Sequence, residues 1–88
     1  MRNKKIVISR PFEKSFQKLP KEIREATYQK LETFLENPGQ PSLRIKRIKG
    51  TRSIWEMSIT MNYRITFENR ETEILLRRIG THDILNRP

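Results

Sequence analysis

The chain has 88 residues, a length that suits one small domain spanning residues 1–88. Its 19 Lys and Arg against 10 Asp and Glu give a formal net charge of +9, which predicts an anionic partner. There is no cysteine, so disulfides and thiolate metal sites are excluded. No apolar run is long enough for a membrane span or a signal peptide, and we therefore expect a cytoplasmic protein with no membrane partner.

The first half of the sequence predicts a strand followed by a helical hairpin. Residues 4–9 form a β-branched run, and Ser9 and Pro11 then supply a capping hydroxyl and a proline suited to a first helical turn. Apolar residues recur with helical spacing up to Pro20, and again from Lys21 until residues 37–39, Asn-Pro-Gly, stop the second helix. Each helix has one apolar stripe, which must cover a sheet.

After Pro41 the apolar residues alternate as they do in strands, in short runs at 43–48, 54–59, 63–67 and 73–79. The predicted class is therefore α+β. It comprises an N-terminal strand, a two-helix hairpin and an antiparallel β-meander of three to four strands, with the helices packed on one face.

The register of the middle hairpin follows from its apolar pattern. A three-residue loop at 60–62 pairs Ile59 with Tyr63, Met57 with Ile65 and Trp55 with Phe67, which places every apolar side chain on one face. Asn62 is expected to adopt the left-handed conformation that closes such a loop. Ser58 then opposes Arg64 and Glu56 opposes Thr66 on the other face, away from the helices.

The next turn is predicted at Asn69-Arg70. It would pair Ile65 with Ile74 and Tyr63 with Leu76, place Arg77 diagonal to Arg64 on the open face, and leave Arg78 on the covered side or its rim.

The positive charge is concentrated in part of the chain. Residues 10–37 carry six bases and five acids, whereas residues 40–67 carry six bases and only Glu56 as an acid. The basic segment around Gly50 suits phosphate contacts and supplies the candidate RNA-binding residues Arg44, Arg47, Lys49 and Arg52, with Lys46 between them. A solubilising edge strand would have a similar composition.

Two further residues are candidates for chemistry. Arg64, beside Arg77 on the open face, could clamp a phosphate through two nitrogens, or it could only pair diagonally with Glu56. His82 is the single histidine, and imidazole is the side chain suited to proton transfer near neutral pH, although a lone histidine near a chain end is often inert. The hairpin register assigns Trp55 to the core rather than to base stacking.

The chain resembles the RelE/ParE superfamily of bacterial toxins in its order of elements and in two short motifs. These motifs are Tyr63-Arg64-Ile65 with Phe67, and Ile79-Gly80-Thr81-His82-Asp83, which is similar to the ending of the YafQ branch. This resemblance implies a ribosome-dependent endoribonuclease that cuts translated mRNA without a cofactor or metal. A cognate antitoxin would silence it, and the protein would reach operator DNA only through the antitoxin complex. It also implies that Arg64 stabilises the phosphate, that His82 transfers a proton and that Lys46 occupies a third active-site position.

The chain departs from the family pattern at four places. Counting back from Arg64, the positions of two RelE lysines fall on Trp55 and Met57, and the positions of active-site aromatics fall on Asn86 and near Pro88. Two other functions fit the same scaffold: a non-catalytic gyrase inhibitor of the ParE kind, which needs no proton-transfer histidine, and a basic RNA-binding or ribosome-associated module.

Overall fold

The computed structural model describes residues 4–88 and contains one sheet with two helices on one of its faces. Five strands lie in the order β1-β5-β4-β3-β2. They span Lys5–Ile8 (β1), Lys46–Arg47 (β2), Ile54–Ser58 (β3), Arg64–Asn69 (β4) and Glu73–Gly80 (β5). Strand β1 is parallel to β5 and the other neighbours are antiparallel, so the sheet is mixed. The predicted α+β class is confirmed.

The helices form where the sequence places them. Helix α1 spans Arg10–Gln17, and the Ser9 hydroxyl accepts a hydrogen bond of 3.3 Å from the Phe12 amide, as expected for a capping serine. Helix α2 spans Lys21–Glu36 and begins after Pro20. Two short 3₁₀ turns follow later in the chain, the first at Pro41–Leu43 and the second at His82–Asn86.

The hydrophobic core lies between the helices and one face of the sheet. Phe34 of α2 meets Phe67 of β4 edge to face, with ring centroids 5.2 Å apart. The buried apolar residues are Phe12, Phe34, Leu43, Met57, Ile59, Ile65, Phe67, Ile74, Leu76 and Ile79. We call the opposite face, which carries Glu56, Ser58, Arg64 and Thr66, the open face because neither α1 nor α2 covers it, although these four residues are each at most 8% exposed.

The predicted register of the β3–β4 hairpin is confirmed. Trp55 pairs with Phe67, Met57 with Ile65 and Ser58 with Arg64. Trp55 also packs against the core. The left-handed conformation predicted for Asn62 is wrong, because Asn62 does not have a positive φ. Among residues 4–88, Arg44 is the only residue other than glycine with a positive φ.

The predicted β4–β5 register is wrong. The turn lies at residues 70–73, where the Arg70 amide donates to the Glu73 carbonyl at 3.0 Å. The Arg70 side chain also donates hydrogen bonds to the carboxylates of Glu73 and Glu68. These interactions raise the pKa of Arg70, and the hydrogen bond to Glu73 is the largest cause. Ile65 therefore pairs with Ile79 rather than Ile74.

A bulge in β5 adds to this shift. Thr66 pairs with Arg78 while Phe67 pairs with Leu76, so Arg77 is an extra residue with no partner of its own on β4. Gly80, and not Arg77, lies nearest to Arg64. Arg78 belongs with Thr66 on the open face, which corrects its expected place on the covered side.

The strand predicted at residues 43–48 is mostly absent. Pro41–Leu43 forms a 3₁₀ turn, Arg44 takes a left-handed conformation, and only Lys46–Arg47 pairs with β3. Leu43 is fully buried, and the chain must turn sharply at Arg44 after placing that side chain in the core.

Candidate functional site

A cavity opens on the sheet where β2 stops short. Because β2 reaches only as far as Glu56 of β3, the β3 edge beyond that residue has no strand beside it. The space, about 320 Å³, is lined by Lys30 of α2, by Ser42 and Arg44 near the first 3₁₀ turn, and by residues 58–61 and Arg64 of the β3–β4 hairpin, which include the apolar Ile59 and Met61. We call it the cationic cavity. Its volume lies at the lower end of the range of about 300–1,000 Å³ that is usual for ligand sites.

Arg64 is held in this cavity by one end of its guanidinium. The side chain is 8% exposed, and Nη1 donates to the carbonyls of Thr60, Met61 and Tyr63 at 2.8, 2.9 and 3.1 Å. Nε and Nη2 have no hydrogen-bond partner within residues 4–88, and Arg64 forms no ion pair with Glu56 there. The residue thus organises the loop and keeps one N–H edge for a bidentate acceptor such as a phosphate.

Arg44 reaches the cavity from a strained backbone. Its φ of 49° and ψ of 46° lie in the left-handed region, and its amide donates to the Pro41 carbonyl at 3.1 Å to close the 3₁₀ turn. Glycine or asparagine takes this conformation at lower cost than arginine. The strained backbone makes Arg44 a candidate for a functional role of its side chain.

A row of polar side chains crosses the open face next to the cavity. Lys46, Glu56, Thr66 and Arg78 are consecutive partners across β2, β3, β4 and β5. Glu56 is only 8% exposed, yet it forms no ion pair with Lys46 in the described part of the chain. The row brings the candidate Lys46 to the open face, two residue positions along the sheet from Arg64.

Glu56 is a nearly buried carboxylate beside the candidate site, and from the sequence it was expected only to oppose Thr66 and to pair diagonally with Arg64. Two signals for it were present: it is the single acid of residues 40–67, and it alternates with Ser58 on the face opposite the apolar residues.

His82 lies at the same end of the sheet as the cavity. Gly80 is directly opposite Arg64, and the exposed His82 begins the second 3₁₀ turn just after that strand. A Cβ on Gly80 would stand 2.9 Å from Ile84 Cγ2, so the glycine lets this turn pack closely on the open face. The segment continues over the sheet, where the Pro88 carbonyl accepts hydrogen bonds from Thr66 and Arg77.

The remaining candidate RNA-binding residues do not form one surface with the cavity. Lys49 and Arg52 belong to the turn at the opposite end of β3, roughly 13 Å away for a strand of this length. Arg47 pairs with Trp55, and it therefore lies on the helix side of the sheet edge. Arg77 is turned toward Pro88 and Glu68, with its Nη1 3.7 Å from the Glu68 carboxylate, and its predicted position diagonal to Arg64 is wrong.

Trp55 and Met57, which stand at the positions of the two RelE lysines, belong to the core face of the sheet. Met57 is fully buried, and Trp55 packs against the core cluster. Neither side chain can reach a substrate on the open face. Within residues 4–88 there is no group of three or more His, Cys, Asp or Glu side chains that could hold a metal ion, and no helix of that region is long and apolar enough to cross a membrane.

Residues 6–85 match a family model described as the ParE toxin of the type II toxin-antitoxin system parDE. No curated protein matches the chain in sequence.

Solved structures resemble the fold closely. The YafQ toxin in the DinJ–YafQ toxin-antitoxin complex of E. coli superposes with a TM-score of 0.78 at 12% identity, covering 94% of this chain and 97% of that one. The RelB–RelE antitoxin-toxin complex of Methanococcus jannaschii gives 0.75 at 23% identity, covering 91% and 94%. The YoeB dimer of Staphylococcus aureus gives 0.71 at 14% identity, covering 91% and 98%.

Proposed function

Because the chain belongs to the ParE toxin family of type II toxin-antitoxin systems, we propose that this toxin acts as a ribosome-dependent endoribonuclease on translated mRNA. The observation that carries the proposal is the arrangement of Arg64. Its guanidinium is fixed by three loop carbonyls inside a cationic cavity, and Nε and Nη2 remain available for a phosphate.

The proposed reaction is an attack of a ribose 2′-oxygen on the adjacent phosphorus. The new O–P bond forms as the bond from phosphorus to the 5′-oxygen breaks, which leaves a 2′,3′-cyclic phosphate and a 5′-hydroxyl. One group must accept the proton of the 2′-hydroxyl and another must protonate the leaving oxygen. Negative charge develops on the phosphoryl oxygens, and preorganised cations stabilise it.

The residues of the site suit these tasks. Arg64 would bind the phosphoryl oxygens through its free edge, in a position that the loop carbonyls fix before substrate arrives. His82, exposed beyond the strand end that faces Arg64, would accept the proton of the 2′-hydroxyl, and the Lys46 ammonium in the polar row would protonate the leaving 5′-oxygen. No step requires a metal or an organic cofactor.

The protein would be kept inactive by an antitoxin. The resembling RelE and YafQ chains were solved in complexes with the antitoxins RelB and DinJ, and we infer a cognate antitoxin here. Contact with operator DNA would then occur only through that complex, and mRNA and the ribosome would be the targets of the free toxin in the cytoplasm.

The test maps 5′ ends in cells on a translated and an untranslated copy of one mRNA after induction of the toxin. Wild type is expected to create new ends on the translated copy alone. His82→Ala and Arg64→Lys should remove them, whereas Lys14→Gln, on the exposed side of α1 and outside the site, should cleave like wild type. Growth arrest by wild type without translation-dependent ends would refute the nuclease function. Cleavage by His82→Ala at the wild-type rate would remove the role of that residue only.

The family match favours one alternative, a non-catalytic gyrase inhibitor of the ParE kind. That function predicts inhibition of DNA supercoiling by purified gyrase at toxin concentrations that leave RNA intact, and it predicts full activity for His82→Ala. A basic module that only binds RNA or the ribosome would show neither supercoiling inhibition nor new 5′ ends.

A further inference from the structure

Lys30 occupies an unusual position on helix α2. Thr27, three residues before it, and Phe34, four residues after it, are both 0% exposed and mark the stripe of the helix that covers the sheet. Lysine is rarely placed on such a stripe unless its amine reaches a polar partner or a ligand. Lys30 is half-buried, and its chain runs from the stripe toward the end of the sheet.

The amine of Lys30 ends in the cationic cavity. Its Nζ lies 3.3 Å from the Ser42 hydroxyl, and the same cavity is lined by Arg44 and Arg64. No carboxylate lines this cavity, and none of the three cations takes part in an ion pair within residues 4–88. Three like charges around one small space repel each other, and an anion that enters it would relieve that repulsion.

We propose that the cationic cavity is a phosphate site for the RNA strand and that Lys30 is one of its substrate-binding residues. The inference rests on the proposed nuclease function and deepens it, because Lys30 comes from a helix that contributes no other residue to the site. Arg44 and Lys30 would hold the sugar-phosphate backbone, while Arg64, which lines the same cavity, would bind through its free edge. Ser42 and Ser58 supply hydroxyl donors to the same oxygens.

This surface favours a single-stranded RNA as its ligand over a free phosphate ion. Beyond the cavity, Lys46 of the polar row lies two residue positions along the sheet from Arg64, beside the Glu56 carboxylate, and the chain as a whole carries a net charge of +9. A polyanion gains from each of these charges in turn, whereas a single phosphate ion can use only those of the cavity.

The experiment measures binding of a fluorescently labelled, eight-nucleotide single-stranded RNA across a range of salt concentrations. Lys30→Gln removes the charge, Lys30→Arg keeps it, and Lys14→Gln is the matched control, since Lys14 is an exposed helical lysine without an ion pair in the described chain. Loss of one phosphate contact should reduce the log–log salt slope by about 0.7 and weaken binding about fivefold near 0.1 M salt. Lys30→Arg and Lys14→Gln should bind like wild type, and thermal unfolding of all four proteins checks that the fold is unchanged.

Several results would overturn the inference. They are a Lys30→Gln variant that matches the control in affinity and slope, a wild type that does not bind the RNA, and displacement of the RNA by inorganic phosphate at equal phosphate concentration. Binding that depends on Lys30 supports the phosphate site even if wild type makes no translation-dependent 5′ ends, a result that refutes the nuclease function alone.

Discussion

Replacing Arg64 with alanine should destabilise the protein as well as inactivate it. The substitution leaves the carbonyls of Thr60, Met61 and Tyr63 without their common donor. A hydrogen bond from a charged donor contributes about 1.5–3 kcal/mol. Water can replace part of this, because Met61 at the loop tip is 86% exposed. We therefore expect the free energy of unfolding to fall by about 2–4 kcal/mol in total.

The assay is thermal unfolding followed by circular dichroism. For a domain of this size each kcal/mol lowers Tm by about 4–8 °C, so Arg64→Ala should unfold about 10–30 °C below wild type. In Arg64→Lys the amine can still donate to the loop carbonyls, so Tm should fall by less than half as much as in Arg64→Ala. The lysine lacks the planar N–H edge, and this variant should therefore be inactive in RNA cleavage. A Tm for Arg64→Ala within about 2 °C of wild type would show that the guanidinium does not hold the loop.

Three further predictions concern residues near Arg64 and the turn at the far end of β3. Arg44→Gly should leave the free energy of unfolding, measured by chemical denaturation, unchanged or raise it by up to about 1 kcal/mol, because glycine suits a φ of 49°. The same change should lower RNA affinity. A marked loss of stability would show that the backbone of Arg44 is not strained. Gly80→Ala should reduce cleavage in the 5′-end assay, since its Cβ would press on Ile84 and move the turn that carries His82; wild-type cleavage would show that this packing is unimportant. The double change Lys49→Gln and Arg52→Gln should reduce the salt slope of RNA binding without altering which sites are cut, and altered cleavage sites would place that turn in the reaction site.

The sequence was sufficient for the two helices, for every strand except β2, and for the faces of the central hairpin. Alternation in residues 54–67 permits one register that gathers Trp55, Met57, Ile65 and Phe67 on one side, and a shift of one residue would expose all of them. The same pattern predicted that Arg64 and Glu56 lie on the face away from the helices.

The register of β5 could not be read in the same way. The bulge at Arg77 adds one residue, so the alternation of β5 before the bulge does not match the alternation after it. The turn also differs from the one predicted at Asn69-Arg70 because the Arg70 side chain bonds both Glu68 and Glu73, which lie on the two sides of the actual turn. Arg77 and Arg78 were misplaced for these reasons.

The composition and local periodicity of the sequence by themselves determined a basic α+β domain with Arg64 on the sheet face away from the helices and His82 just beyond a strand end. Only the tertiary structure decided that β2 begins no earlier than Lys46, that Arg44 after the buried Leu43 has a left-handed conformation, and that Lys30 reaches the space left beside them. The physical reason is that periodicity reports which side of each element is apolar, a local property. Where strands stop and which distant side chains meet depend on packing between elements far apart in the chain.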